Sequence, residues 1–218
     1  MEENLIKNDF LVEVSEPAIA IIKLNRSRKL NALNTELMIK LIEELKRLED
    51  DEQIKGIIIT GVDRSFIVGA DINEMGDLNS ESGVKFITRL HELINTIRQL
   101  KKPVIAGVNG HCYGAGLELA ISCDSVIASE NATFGMQEVQ IGIPSVIEAA
   151  LLPFMIGLAK TREMLLTGDV IDSKTALEMG LVNYVVPHEN LLTSTLDYTL
   201  RIIKNAPHAV SLQKQLMN

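Results

Sequence analysis

The chain has no tryptophan, three tyrosines and five phenylalanines in 218 residues. With so few aromatics, its core has to be assembled from Ile, Leu, Val, Met and Ala. Cysteine is equally scarce. Cys112 and Cys123 are the only two, too few for a disulfide framework, and the plain reading is a reduced, cytoplasmic setting. No apolar run approaches the ~18 residues that a membrane span requires; the most apolar stretches, 103–108 and 149–156, have the length of core elements. The start, Met1-Glu2-Glu3-Asn4, is acidic and leads into no long apolar segment, so neither a secretory signal nor an Arg-rich transit segment is expected. Positive charge is in deficit: 21 Lys and Arg against 29 Asp and Glu give a formal net charge of −8. A protein that tracks nucleic-acid phosphates needs a basic face, so nucleic acid is not an expected partner. An anionic small ligand stays open, because the N–H groups at a helix start hold an anion without net positive charge. His91, His111, His188 and His208 have no metal-ligand spacing with one another or with either Cys, and no metal site is expected.

What the chain does have is a regular alternation. No Pro/Gly/Ser-rich linker interrupts it before about residue 186, and its length suits one domain, or one domain with a small appendage. Phe10 to Val14 and Ala18 to Leu24 read as neighbouring strands or a hairpin around Glu16-Pro17. Leu37, Met38, Leu41, Ile42, Leu45 and Leu48 fall at helical spacing and predict a helix over 35–49, with Thr35 as N-cap. A buried-type strand, 56–60, precedes a glycine-containing loop over 61–71, and 84–100 is a second amphipathic helix. Lys102-Pro103 opens a strand over 104–108, followed by a loop over 110–116, a helix over 117–123 and a strand over 126–128. Helices are expected over 144–156, 158–167 and 173–179, the last ended by Gly180. A strand over 181–186 and helices over 190–205 and 207–217 complete an α/β chain in which strand–loop–helix recurs three times, like stacked ββα turns.

Three features carry possible chemistry. The first is Gly110-His-Cys-Tyr-Gly114-Ala-Gly116-Leu-Glu118, which joins a strand to a helix. Its glycines permit close backbone approach, and the first N–H groups of the helix have no partner inside it. The spacing is neither a dinucleotide fingerprint nor a Walker A loop, and a tight turn for helix packing explains it equally well. The second is Ser65-Phe66-Ile67-Val68-Gly69-Ala70-Asp71, which also offers main-chain N–H groups. Two donors from two loops, accepted by one carbonyl oxygen, are the anatomy of an oxyanion hole. The third is a pair of carboxylates. Glu118 lies in an otherwise apolar helix, where desolvation raises a carboxyl pKa. Glu138 lies in an irregular segment between a strand and a helix. Two such acids beside an oxyanion hole suit one water, one removing its proton and the other donating to carbon; a solvated surface role remains open for each. Cys112 has no recognisable base beside it, and Ser122 and Ser145 lack a G-x-S-x-G elbow.

At these residues the chain resembles the enoyl-CoA hydratase/isomerase (crotonase) family, over nearly its whole length and with the motifs in the family's order. Asn25-Arg26 followed by Lys29-Leu30-Asn31-Ala32-Leu33 is similar to the family's N-R-P-x-x-x-N-A-L stretch near the CoA, with Ser27 where Pro is usual. Phe66 to Asp71 is similar to the first oxyanion-hole segment, and Lys102 to Gly110 to the run leading into the second; Cys123-Asp124 and Leu166-Thr167-Gly168 also match. The resemblance implies a crotonase-like spiral of ββα turns over residues 1–188 and a C-terminal helical region over 189–218. It implies an acyl-CoA substrate, with CoA near Lys29, Leu30 and Ala32. It places Val68, Gly69, Ala70, Asp71 and Ala115 around the thioester carbonyl, the N–H groups of Val68 and Ala115 being the oxyanion donors. Glu118 and Glu138 match the two family glutamates, a pairing that implies hydration of a 2-enoyl-CoA to a 3-hydroxyacyl-CoA. Glu138 would activate water for attack at C3, and Glu118 would orient that water and help protonate C2. No metal or redox cofactor is implied, coenzyme A being part of the substrate. A homo-oligomer, a trimer or dimer of trimers, is implied as well. Double-bond isomerisation, specialised acyl-CoA lyase chemistry and a non-catalytic acyl-CoA-binding or assembly role are the alternatives. Two departures stand out. Family chains usually continue past the position of Asn218 with further helices, so a C-terminal region truncated relative to the family is expected. After Ile143-Pro144 the chain runs Ser-Val-Ile-Glu without the glycines of many hydratases, which bears on acyl-chain preference.

Overall fold

A computed structural model describes residues 9–217; the acidic start at Met1–Asn4 lies outside the described residues. Strands β1 (Phe10–Ser15) and β2 (Ile19–Leu24) form an antiparallel pair, with Phe10 opposite Leu24. Helix α1 (Thr35–Asp50) follows, then β3 (Gly56–Gly61), β4 (Ser65–Ile67), α2 (Ile72–Gly76) and α3 (Ser80–Gln99). The next turn is β5 (Val104–Val108), β6 (His111–Tyr113) and α4 (Ala115–Ile121); the one after it begins with β7 (Ser125–Ser129) and β8 (Thr133–Gly135). Helix α5 (Leu152–Thr167), β9 (Ile171–Asp172), α6 (Ser173–Glu178), β10 (Tyr184–Val186), α7 (Leu191–Ile203) and α8 (Pro207–Met217) complete the described chain.

After the β1–β2 pair, each turn adds one strand to each of two sheets. The larger sheet runs β1-β2-β3-β5-β7-β10 and the smaller β4-β6-β8-β9. From β2 to β10 the larger sheet is parallel, as the βα connections require. The result is a spiral of ββα turns.

The apolar runs of the larger sheet are continuous because both faces are covered. Ala20, Ile22, Ile57, Ile59, Val104, Ala106, Val126 and Ala128 point to one core, shared with Phe66, Cys112 and Phe134 of the smaller sheet and with the apolar stripes of α1 and α3. Ile19, Ile21, Ile58, Ile105 and Ile127 point the other way, against Leu191, Leu196 and Leu200 of α7.

The structure corrects several expectations. The N-cap of α1 is Asn34, whose side chain accepts from the Leu37 N–H, whereas Thr35 gives both its N–H and its hydroxyl to the Glu74 carboxylate. The loops expected over 61–71 and 110–116 each contain a three-residue strand, β4 and β6, and β8 lies just before the segment of Glu138. Helix α4 starts at Ala115, two residues before the expected start. The helix expected from 144 begins only at a 3-10 turn, Glu148–Leu151, because Gly142 is left-handed (φ 80°) and Pro144 follows it. The break expected between 156 and 158 is real: Gly157, at φ 74°, interrupts α5.

Candidate active site

Val68, Gly69, Ala70, Ala115, Glu118 and Glu138 all line one cavity of about 260 Å³. They come from different turns of the spiral and meet because the β4–β6–β8 ladder sets the ends of its strands side by side. Gly69, at φ 100°, turns the chain after β4; a Cβ built on it would stand 4.0 Å from the Ala115 nitrogen. The two loops are therefore neighbours. Neither the Val68 nor the Ala115 N–H donates to a protein acceptor among the described residues, leaving both for a ligand oxygen.

Two glycines make this approach possible. A Cβ on Gly116 would lie 2.2 Å from the Ile67 carbonyl oxygen, so only glycine lets the first turn of α4 rest on β4. A Cβ on Gly114 would lie 2.4 Å from Glu138 Oε1. The Glu138 carboxylate thus occupies the space that a side chain at 114 would fill.

Glu118 is 2% exposed. Burial pushes its carboxyl up to about 7, with the negative charge of Glu138 adding to the rise. The main-chain N–H groups of Ala149, Ile147 and Glu148 oppose that rise; the Ala149 N–H donates to Oε1 at 2.9 Å. Glu138 is half-buried at the start of the 3-10 turn Glu138–Ile141 and accepts from the Ser145 hydroxyl at 3.1 Å. The two acids thus sit in different surroundings, one dry and held by a main-chain N–H, the other half-buried and held by a hydroxyl. The rest of the wall is apolar: Met75 from α2, Phe86, Ile87 and Leu90 from α3, and Ile147.

Four expected site residues stand outside this lining. Asp71 does not face the cavity. Its carboxylate caps α2 through the Asn73 N–H and pairs with Arg26 at 3.2 Å, so its place is to hold the loop rather than to touch its contents. Lys29, Leu30 and Ala32 lie on the neighbouring segment, Lys29 exposed and Ala32 buried. Arg26 ties that segment to the first loop: it donates to the Ala32 carbonyl as well as pairing with Asp71. Asn31, fully buried at φ 59°, accepts from the Arg26 N–H and donates to the Ser65 carbonyl. Leu33 and Ala70 form a bridge between the two.

Sequence reasoning missed Tyr113, Ser145 and the amides of 147–149. Tyr113 lines the cavity, and its hydroxyl is shared with His111 and Thr133. Ser145 was considered only as a nucleophile; its hydroxyl is a donor to Glu138. The amides carry no side-chain signature at all. Cys112 and Cys123 are free, and burial raises both thiols, which suits packing rather than reactivity. No three His, Cys, Asp or Glu side chains are grouped to hold a metal ion among the described residues, and no helix there is long and apolar enough to cross a membrane. A larger hollow, about 470 Å³, lies between α8 and the chain around Glu52 and Lys101; it contains no fully buried carboxyl and none of the candidate site residues.

Comparison with known proteins shows the family. The family model described as enoyl-CoA hydratase/isomerase matches residues 15–218. The chain is 37% identical over 213 residues to a short-chain-enoyl-CoA hydratase of Clostridium acetobutylicum, covering 97% of this chain and 81% of that protein. It is also 37% identical, over 205 residues, to a crotonyl-CoA hydratase of Syntrophomonas wolfei, covering 93% and 79%. Among solved structures, an enoyl-CoA hydratase from Bacillus anthracis superposes with a TM-score of 0.93 at 32% identity, over 96% of this chain and 82% of that one. With a match of this extent, the chain belongs to the enoyl-CoA hydratase/isomerase family.

Proposed function

We propose that the protein is an enoyl-CoA hydratase that adds water across the 2,3 double bond of a 2-enoyl-CoA to give a 3-hydroxyacyl-CoA. One observation carries the reading: Glu118 and Glu138 face the same cavity as two main-chain N–H groups that have no protein acceptor. The names of the two relatives, which specify short-chain enoyl-CoA and crotonyl-CoA, support a short acyl chain here, as does the small apolar wall.

In this scheme the thioester oxygen accepts from the Val68 and Ala115 N–H groups, which draw electron density from C3. Glu138 removes a proton from water as its oxygen bonds to C3. The π electrons move onto the thioester oxygen as an enolate, held by the same two donors. C2 then takes the proton of Glu118, whose raised pKa keeps it partly protonated at neutral pH. Proton exchange between the two carboxyls through water restores the starting state. Adding water needs no net electron transfer, so the scheme calls on no redox group or metal; coenzyme A belongs to the substrate. Lys29, Leu30 and Ala32, fixed beside Ala70 by Arg26, are the proposed CoA contacts. Exposed Phe154, Leu158 and Leu166 on α5 support a homo-oligomer, and two free thiols are in keeping with a cytoplasmic setting.

The test is loss of the enoyl absorbance of crotonyl-CoA. Wild type should turn over, and Glu118→Gln and Glu138→Gln should each lose about 10² or more. An unchanged rate in either variant would sink the two-carboxylate mechanism.

A further inference from the structure

Glu148 is a buried carboxylate that the scheme above does not use. It is 6% exposed. Its Oε2 lies 3.2 Å from Arg98 Nη1 and its Oε1 3.3 Å from His91 Nδ1, both on α3. Its neighbour Ala149 gives its N–H to Glu118 Oε1 at 2.9 Å, and the main-chain amides of Ile147 and of Glu148 itself also favour the ionised Glu118. This segment is otherwise weakly determined. It follows the non-helical stretch 142–147 and starts the 3-10 turn Glu148–Leu151 at Ile147, whose φ −112° and ψ −101° lie outside the helical region. Local sequence does not dictate where its amides point; a side-chain anchor does.

We propose that Glu148 is a positioning residue for Glu118: clamped to α3 by Arg98 and His91, it holds the main chain of 147–149 so that the Ala149 N–H stays on the Glu118 carboxylate. The titratable group facing Glu118 is Glu138, and those facing Glu148 are Arg98 and His91. Amide donors favour the ionised carboxylate. Loosening the clamp therefore leaves burial less opposed, and Glu118 binds its proton more tightly. The clamp links α3, which supplies Phe86, Ile87 and Leu90 to the cavity wall, to the proton affinity of the acid.

The rate readout of this proposal rests on the hydratase reading; a titration readout does not. The full chain, labelled with ¹³C-glutamate, is titrated by NMR as wild type, Glu148→Gln and Arg98→Lys, with Glu118→Gln identifying the Glu118 signal. Glu148→Gln should titrate Glu118 at higher pH than wild type, and Arg98→Lys, which keeps the cation but loses the fork, should fall between. With crotonyl-CoA, Glu148→Gln should lower kcat about tenfold, the scale of a small misplacement of a reacting group, with little change in KM. A Glu118 titration unmoved in Glu148→Gln overturns the proposal, whatever happens to thermal stability. If Glu148→Gln does not fold, an unmoved titration in Arg98→Lys overturns it. A wild type that does not hydrate crotonyl-CoA defeats the hydratase reading and leaves the titration to decide this one.

Discussion

Glu118 is costly to keep where it is. Burial raises its pKa from 4.5 to about 7, so between those values the folded protein holds a proton that the unfolded chain has released. Stability therefore falls as pH rises through that window and levels off above it, by about 3 kcal/mol for this group. Glu118→Gln should abolish that slope: in denaturant titrations the variant should gain on wild type between pH 5 and pH 8, while losing activity. If Glu118 is the acid of the proposed scheme, kcat for hydration falls as pH rises through about 7, read from a pH–rate profile with crotonyl-CoA. Gly114 is the second residue on which the site turns. Gly114→Ala forces a Cβ against Glu138 Oε1 at a position with φ 53°, and should lower kcat by about 10², the cost of a displacement near 1 Å. Both glutamates and both glycines were legible because their surroundings are odd: an acid in an apolar helix, glycines at a strand–helix junction. Glu148 was not. Beside Ala149, Ala150, Leu151 and Leu152 it reads as the wet face of a helix, and only α3, some fifty residues away in sequence, makes it dry.

At the scale of elements, the long ones declared themselves. The stripes of α1 and α3 and the apolar runs of β3 and β5 carry period or length enough to be read. Strands β4, β6 and β8 have three residues each, too few for a period, and they exist because the ladder between turns satisfies their main chain. Residues 144–147, expected as the start of a helix because Val146 and Ile147 are apolar, are irregular, and those side chains wall the cavity instead. Helix α8 is tied down by one side chain. Lys214, 4% exposed, donates to Asp124 at 2.7 Å and to the carbonyls of Ile97 and Lys102. Asp124 in turn accepts the Val104 N–H. Lys214→Ala removes the three hydrogen bonds of a buried cation, while the exposed Asp124 carboxylate keeps its access to water, and should destabilise the fold by about 1–3 kcal/mol, seen as an earlier denaturation midpoint. A variant as stable as wild type would mean that α8 docks by apolar contacts alone.

For the whole molecule, the spiral explains why the site exists at all. Each ββα turn ends a short strand at the same edge of the smaller sheet, so loops distant in sequence arrive together: Val68 after β4, Ala115 after β6, Glu138 after β8. Alternating strands and helices predicted the class, and the motifs resembling the family predicted the spiral. The division of strands between two sheets came only from the structure. In the proposed scheme an acidic chain stabilises the enolate oxygen through main-chain N–H groups rather than net positive charge. The measurement that tests the central claim most directly is the mass of the product formed from crotonyl-CoA in ¹⁸O-labelled water. The account predicts a product heavier than the substrate by one molecule of labelled water, formed by wild type and lost in Glu118→Gln and Glu138→Gln; a product of unchanged mass, or no product, would contradict it.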